Sequence, residues 1–176
     1  LQLVKKTLVI FAHPYLEYST TNVELIKIYK QFEHVELKDL YEEYEDFHIS
    51  TFRERKRIRE YQRLIFHFSL VWFSVPPLLK LWIDEVFDMS WKAESDHPLR
   101  NKDAAIIVTA GASEQNFQPD GIYSTTIEEL MKPLVLSLDV NGIEVKNLLA
   151  VYDADDLQPA ALAPVADQII KILETS

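Results

Sequence analysis

The sequence predicts an α/β protein: a doubly wound, five-stranded parallel sheet with helices on both faces. Short apolar runs of strand length alternate with segments of helical periodicity five times along the chain. The runs Thr7–Ala12 and Ala104–Ala110 are continuously apolar, as central parallel strands covered on both faces are. No internal repeat or low-complexity linker interrupts the 176 residues. One domain over residues 1–176 is therefore expected, burying about 70% of the surface its unfolded chain exposes.

Taken in order, Thr7–Ala12 stops sharply at His13-Pro14. Ser19, Thr20 and Thr21 then offer a cap for a helix over Glu24–Phe32, whose buried face is Leu25, Ile28, Tyr29 and Phe32. Val35–Tyr41 alternates as a second strand, and an acidic, aromatic connection, Glu42–Phe47, leads to a charged helix from about Thr51. The third strand, Leu64–Phe68, runs into the loop Ser69 to Ser74. Pro76-Pro77 bars a helix before position 77 and suits a first helical turn after it. From there Leu79, Trp82, Ile83 and Val86 recur on one helical face. Leu78, Leu81 and Phe87 widen that face beyond one packing surface, so contact with another subunit is expected. Asp88–Lys102 is a loop without apolar periodicity that holds Trp91 and His97. Ala104–Ala110 is the fourth strand and ends in Thr109-Ala-Gly-Ala-Ser113. Thr125–Val140 is a helix with Ile127, Leu130, Leu134 and Leu138 inside, a kink expected at Pro133, and a stop at Asn141-Gly142. Ile143–Tyr152 is the fifth strand and Ala160–Leu173 the closing amphipathic helix. With three glycines in the chain, most turns fall to Asn, Asp, Pro and Ser.

The net charge of -10, from 28 acidic and 18 basic residues, opposes binding to nucleic acid or to an anionic membrane surface. The cluster Arg53, Arg55, Lys56, Arg57 and Arg59, interleaved with Glu54 and Glu60, reads as a solvated helix face. The absence of cysteine removes disulfides and thiol catalysis. No apolar run approaches the roughly 20 residues of a membrane span, and no leader precedes the first strand, so a soluble, cytoplasmic protein is expected. His13, His34, His48, His67 and His97 are scattered, with no helical pair at ligand spacing, so no metal is expected. His67 reads as a satisfied core histidine, and Asp84, Glu85, Asp153, Asp155 and Asp156 as surface or capping residues. There is neither a Walker sequence nor a dinucleotide-binding glycine fingerprint.

Two loops at strand ends remain as candidate sites. Open parallel sheets bind ligands in the crevice outside the carboxyl ends of their strands. Trp72 and Phe73 stand there, and two readings are open: walls for a flat ligand, or packing in the core. The first strand, its loop and the hydroxyls of Ser19, Thr20 and Thr21 make a natural phosphate site without glycine. An ordinary capped helix is the other reading.

Residues 72–87, Trp-Phe-Ser-Val-Pro-Pro-Leu-Leu-Lys-Leu-Trp-Ile-Asp-Glu-Val-Phe, closely resemble the signature of the NAD(P)H:quinone oxidoreductase family of flavodoxin-like flavoproteins. That family includes the bacterial ancillary proteins of glutathione-gated potassium efflux systems. His13-Pro14, Ser19 and Asn22 resemble its first flavin-binding loop, and the likeness runs in order from Phe11 to about Val151. Thr109 and Gly111 keep the family's next loop, whereas Ala110 and Ala112 depart from it. At a position needing positive φ, alanine would cost about 1 kcal/mol or more. The loop over Asp88–Lys102 lacks the glycines the family has there.

The resemblance implies a flavodoxin-like fold and flavin contacts from His13, Ser19, Thr20, Thr21, Asn22, Ser69, Leu70, Val71, Trp72, Phe73, Thr109, Ala110, Gly111 and Ala112. It also implies two-electron hydride transfer from NAD(P)H through the flavin to a quinone-like acceptor, in ping-pong order at one stacking site. In several members a tyrosine and a histidine assist that transfer. Phe117 and Tyr123 stand at the equivalent places, so the relay is absent or altered, and backbone amides near Trp72 and Phe73 are expected to take the electrostatic role. FMN is expected rather than FAD, because the chain lacks the long carboxyl-terminal extension of the larger dinucleotide-binding members. A homodimer is implied as well. The alternatives are a regulatory subunit of a potassium efflux antiporter and a module of the same fold that has lost its flavin.

Overall fold

In the computed structural model, which describes residues 4–87, 97–155 and 157–175, five parallel strands form one sheet in the order β2-β1-β3-β4-β5. The strands are β1 (Thr7–Ala12), β2 (Val35–Asp39), β3 (Arg63–Ser69), β4 (Asp103–Thr109) and β5 (Glu144–Val151). The helices are α1 (Thr20–Tyr29), α2 (Leu40–Glu43), α3 (Thr51–Arg59), α4 (Pro77–Val86), α5 (Ile127–Val140) and α6 (Pro159–Glu174). Trp91, most of the loop expected over Asp88–Lys102, and Asp156 lie outside the described residues. Among the described residues no helix is long and apolar enough to cross a membrane.

Successive side chains of a strand point to opposite faces, and here each face has its own core. Leu8, Ile10, Leu64, Phe66, Ile106 and Val108 pack with residues of α2 to α5. Val9, Ile65, Ala105 and Ile107 pack on the other side with Leu25, Ile28 and Tyr29 of α1 and Ile169 and Leu173 of α6. Residue by residue β1 and β4 are buried throughout, which is why they read as unbroken apolar runs.

Element ends differ from expectation where a side chain captures the backbone. Ser19 Oγ accepts the Asn22 N–H, so α1 begins at Thr20, ahead of Glu24. Asp39 does the same for Tyr41 (3.0 Å), so β2 stops two residues early and turns into α2. Thr126 and Glu129 form a reciprocal capping box at the start of α5.

The helix after the proline pair corrects one expectation. Pro76 is extended and Pro77 opens α4, as read, but Leu78 and Trp82 are fully buried within this chain. The Trp82 ring meets Phe66 and Phe87 edge-on, and its indole N–H donates to the buried Glu54 carboxylate at 2.9 Å. Of the surplus apolar face only Leu81 and Phe87 stay half-buried. Glu54 also accepts from Tyr44 and Arg57, both at 2.6 Å. The basic segment is thus only partly a solvated face. Arg53 and Arg57 pair with Glu43, and Arg55 donates to the carbonyls of Glu85 and Val86 at the end of α4.

His67 is the satisfied core histidine the sequence suggested. It is fully buried, 2.8 Å from the Tyr29 hydroxyl and 3.1 Å from Asn22 Oδ1, with Phe11 edge-on at 5.1 Å. Burial, aided by nearby His13, pushes its pKa down to about 3. The unfolded chain takes up this proton near pH 6.5 and the native state does not, so stability is lost as pH falls from about 6.5 toward 3. The slope is about 1.4 kcal/mol per pH unit. Between pH 7 and pH 5 wild type should therefore lose about 2 kcal/mol more unfolding free energy than His67→Gln, as read by urea denaturation. Equal losses would mean that His67 titrates normally in the native state.

Candidate functional site

Four strands deliver loops to one edge of the sheet, and backbone hydrogen bonds hold those loops in register. Leu70 N–H donates to Thr109 O and Ala110 N–H to Val151 O, both at 2.8 Å. Ala154 N–H returns to Ala110 O at 2.9 Å and Asp153 N–H to Ala112 O at 3.1 Å. Between the loops open two cavities that share Leu70 and Gly111. One, of about 180 Å³, is walled by Trp72, Phe73, Ala110, Ala112, Phe117 and Tyr123. The other, of about 230 Å³, is lined by His13, Pro14, Tyr15, Asn22, Ser69, Val71, Thr109, Ala154 and Asp155. Together they form a slot with an aromatic end and a polar end.

The aromatic end is built on a strained turn. Val71 and Ser74 exchange both backbone hydrogen bonds across Trp72 and Phe73, whose φ angles are 46° and 63°. Two positive φ values mark a type I′ turn, a geometry that favours Asn-Gly and costs bulky residues about 1–2 kcal/mol each. Trp72 is 90% exposed, which settles the first open question: it is not a core residue. Among the described residues nothing accepts from the amides of Trp72, Phe73, Gly111 or Ala112. The wall opposite is an aromatic stack, with Tyr123 5.0 Å from Phe73 and 4.9 Å from Phe117.

At the polar end Asn22 is the hub. Its Nδ2 donates to Ser19 Oγ at 2.9 Å and to Thr109 Oγ1 at 3.1 Å, joining the start of α1 to the end of β4. The amides of Thr20 and Thr21 have no partner among the described residues, and Thr21 Oγ1 is buried without one. An orphaned hydroxyl beside free amides at the positive end of a ten-residue helix fits an anionic group such as a phosphate. His13 Nδ1 accepts the Tyr15 N–H at 3.1 Å, so the neutral ring carries its proton on Nε2. Burial lowers its pKa against the pull of Asp155 and Glu17.

Of the residues expected to contact a cofactor, His13, Asn22, Ser69, Leu70, Val71, Trp72, Phe73, Thr109, Ala110, Gly111 and Ala112 all line the slot. Ser19, Thr20 and Thr21 stand behind it at the start of α1. The concern over Ala110 and Ala112 is removed, since no residue from 109 to 113 has positive φ. A Cβ at Gly111 would lie 2.3 Å from Asp155 Oδ2, so a side chain there would oblige the Asp155 carboxylate to move aside. Asp155 is exposed, as read, and it also lines the polar cavity. Its place just past the fifth parallel strand was the available signal. Phe117 and Tyr123 are both present, but buried Phe117 has no proton to give and serves as a wall.

Fold and slot define a doubly wound α/β protein with an aromatic and polar slot at its strand ends. The chain belongs to the flavodoxin-like fold family, whose model matches residues 5–173. An uncharacterized NAD(P)H oxidoreductase of Bacillus subtilis strain 168, YrkL, is 31% identical over 170 residues, covering 96% of this chain and 98% of the relative. KefG of Yersinia pestis strain Pestoides F, a glutathione-regulated potassium-efflux system ancillary protein, is 29% identical over 171 residues, covering 97% and 94%. Three solved structures superpose over nearly their whole length. One is described as a thermophilic tryptophan halogenase from Streptomycin violaceusniger (TM-score 0.88, 33% identity, covering 96% of this chain and 99% of that one). Another is an NADPH-quinone reductase from P. pentosaceus (0.86, 27%, 97% and 98%). The third is general stress protein 14 of Treponema denticola in complex with FMN (0.85, 26%, 96% and 97%).

Replacing Trp72-Phe73 by Asn-Gly should relieve the turn and raise unfolding free energy by about 1–2 kcal/mol. The same change should weaken flavin binding at least tenfold in a fluorescence titration, through loss of the aromatic wall. Trp72→Ala alone should weaken binding without the loss of about 3–5 kcal/mol that a core tryptophan would show.

Proposed function

We propose that this protein is a flavin-dependent NAD(P)H oxidoreductase that reduces a quinone or a similar flat acceptor by two electrons. The observation that carries the reading is the slot itself, where unpaired amides of Trp72, Phe73, Gly111 and Ala112 border an aromatic cavity. The names of the NAD(P)H oxidoreductase and quinone reductase relatives support it. A flavin held there supplies the hydride chemistry that no side chain of this protein can perform. The free amides suit the polar edge of its ring and stabilise negative charge on it. Phe73, Phe117 and Tyr123 would shield one side from water. The amides of Thr20 and Thr21 and the orphaned Thr21 hydroxyl would hold the phosphate, with Asn22 fixing Ser19 beside them. We favour FMN over FAD, supported by the FMN complex of a 26% identical relative.

A second reading, an ancillary subunit of a potassium efflux system, is favoured by the likeness to KefG over 97% of the chain. Co-purification with a membrane transporter would support it.

Incubated with FMN, the protein should turn yellow and then bleach when NADH or NADPH is added anaerobically. A protein that takes up neither FMN nor FAD in a titration would overturn the enzymatic reading. The reading extends to a homodimer in which Leu81, Phe87 and the exposed Trp72 meet a second copy and complete the slot. Leu81→Arg should then lower the sedimentation coefficient and the activity together. A fully active monomer at micromolar concentration would overturn the dimer and leave the enzyme.

A further inference from the structure

His67 lines neither cavity, yet hydrogen bonds join it to the polar one. Asn22 Nδ2 spends both its hydrogens on Ser19 Oγ and Thr109 Oγ1. Its Oδ1, which the Thr109 hydroxyl also reaches at 3.3 Å, then faces His67 Nε2, 3.1 Å away, and that second contact is a hydrogen bond only if Nε2 carries the proton. Nδ1 is then bare and accepts from the Tyr29 hydroxyl at 2.8 Å. Tyr29 is the key to the direction of the chain. It is 1% exposed, and its hydroxyl has no other acceptor among the described residues. Turning the Asn22 carboxamide over would set an N–H against an N–H. Relieving that clash by moving the imidazole proton to Nδ1 would leave the buried Tyr29 hydrogen with no acceptor. Only one of the two arrangements satisfies every group.

We infer that His67 is a positioning residue for the cofactor slot: with Tyr29 it sets the facing of the Asn22 carboxamide, and through it the hydroxyls of Ser19 and Thr109. An apolar residue at 67 would fill the core equally well but would release both Asn22 and Tyr29. The inference rests on the cofactor reading above and adds to it the group that pre-orients the polar end for a phosphate or polyol chain. The ring performs this as a neutral donor, since burial keeps it uncharged.

Two measurements on the full chain test it. In the flavin-free protein labelled with 15N-histidine, His67 should show a protonated Nε2 and a bare Nδ1 from about pH 5 to pH 8. A proton on Nδ1 overturns the inference. In FMN titrations His67→Phe should bind about tenfold more weakly than wild type. His67→Gln, whose terminal amide reaches about as far and can donate to Asn22, should stay within about threefold of wild type. Tyr29→Phe removes the locking hydroxyl at constant shape, and the Nδ1-protonated form should then appear in the spectrum. An unchanged tautomer in that variant counts against the lock even if His67→Phe does not fold. Wild-type FMN binding with unchanged affinity in His67→Phe removes the positioning role and leaves the cofactor reading standing. A wild type that binds no flavin removes both.

Discussion

Two backbone hydrogen bonds, Leu70 N to Thr109 O and Ala110 N to Val151 O, carry the parallel ladder one step past the strands, and the slot depends on them. Each contributes only about 1 kcal/mol net. Their effect is geometric, because they tie the loops after β3, β4 and β5 to one another before any side chain is considered. The loops cannot drift independently, and Gly111, Leu70 and Asp155 are brought to one cavity by the same bonds that close the sheet. The chemistry at the edge inherits the precision of the ladder beneath it.

Strain collects where that ladder ends. Phe47, Trp72, Phe73, Asn101, Ser124 and Asp153 have positive φ without being glycine, and Trp72, Phe73, Ser124 and Asp153 lie in segments that reach the slot. Such conformations persist only when the surroundings over-determine them. At the 71–74 turn the anchors are β3 on one side and α4 on the other. The helix is pinned in turn by Pro77, by Trp82 bound to Glu54, and by Arg55 on its last carbonyls. The buried Glu54 carboxylate is affordable because three donors satisfy it.

The electrostatics follow a single pattern. The chain carries a net charge of -10, and no lysine or arginine is among the described residues lining the slot. Negative charge on a ligand must be met by neutral dipoles: free amides, hydroxyls, a helix terminus and neutral imidazoles. Fixed dipoles stabilise an anion without the desolvation of a buried cation. The same economy explains why His67 and His13 are held below their ordinary pKa. Burial keeps both rings neutral, and His13 accepts from the Tyr15 N–H.

Much of this was legible in the residues. Unbroken apolar runs identify strands covered on both faces, since only such strands can be apolar at every position, and Pro76-Pro77 marks the start of α4 because the second proline keeps the first out of helical geometry and itself suits the first helical turn. The chain-long likeness in the motifs placed the loops that would meet a cofactor. What the residues could not convey was which of several apolar positions face solvent. Trp82 reads as part of a helical apolar face and Trp72 as a loop residue with two readings open, and only the structure shows that a left-handed turn exposes Trp72 while a buried carboxylate holds Trp82. Asp155 is on the surface as read, and it borders the cavity because the ladder folds the end of β5 back over Gly111. His67 was rightly read as buried and satisfied, but its partners are 45 and 38 residues away. The sequence by itself determined the layers and the strand ends, because both follow from local periodicity and backbone chemistry. Only the tertiary structure decided which polar groups meet at those ends, because hydrogen-bond partners so distant in sequence are set by strand order and register.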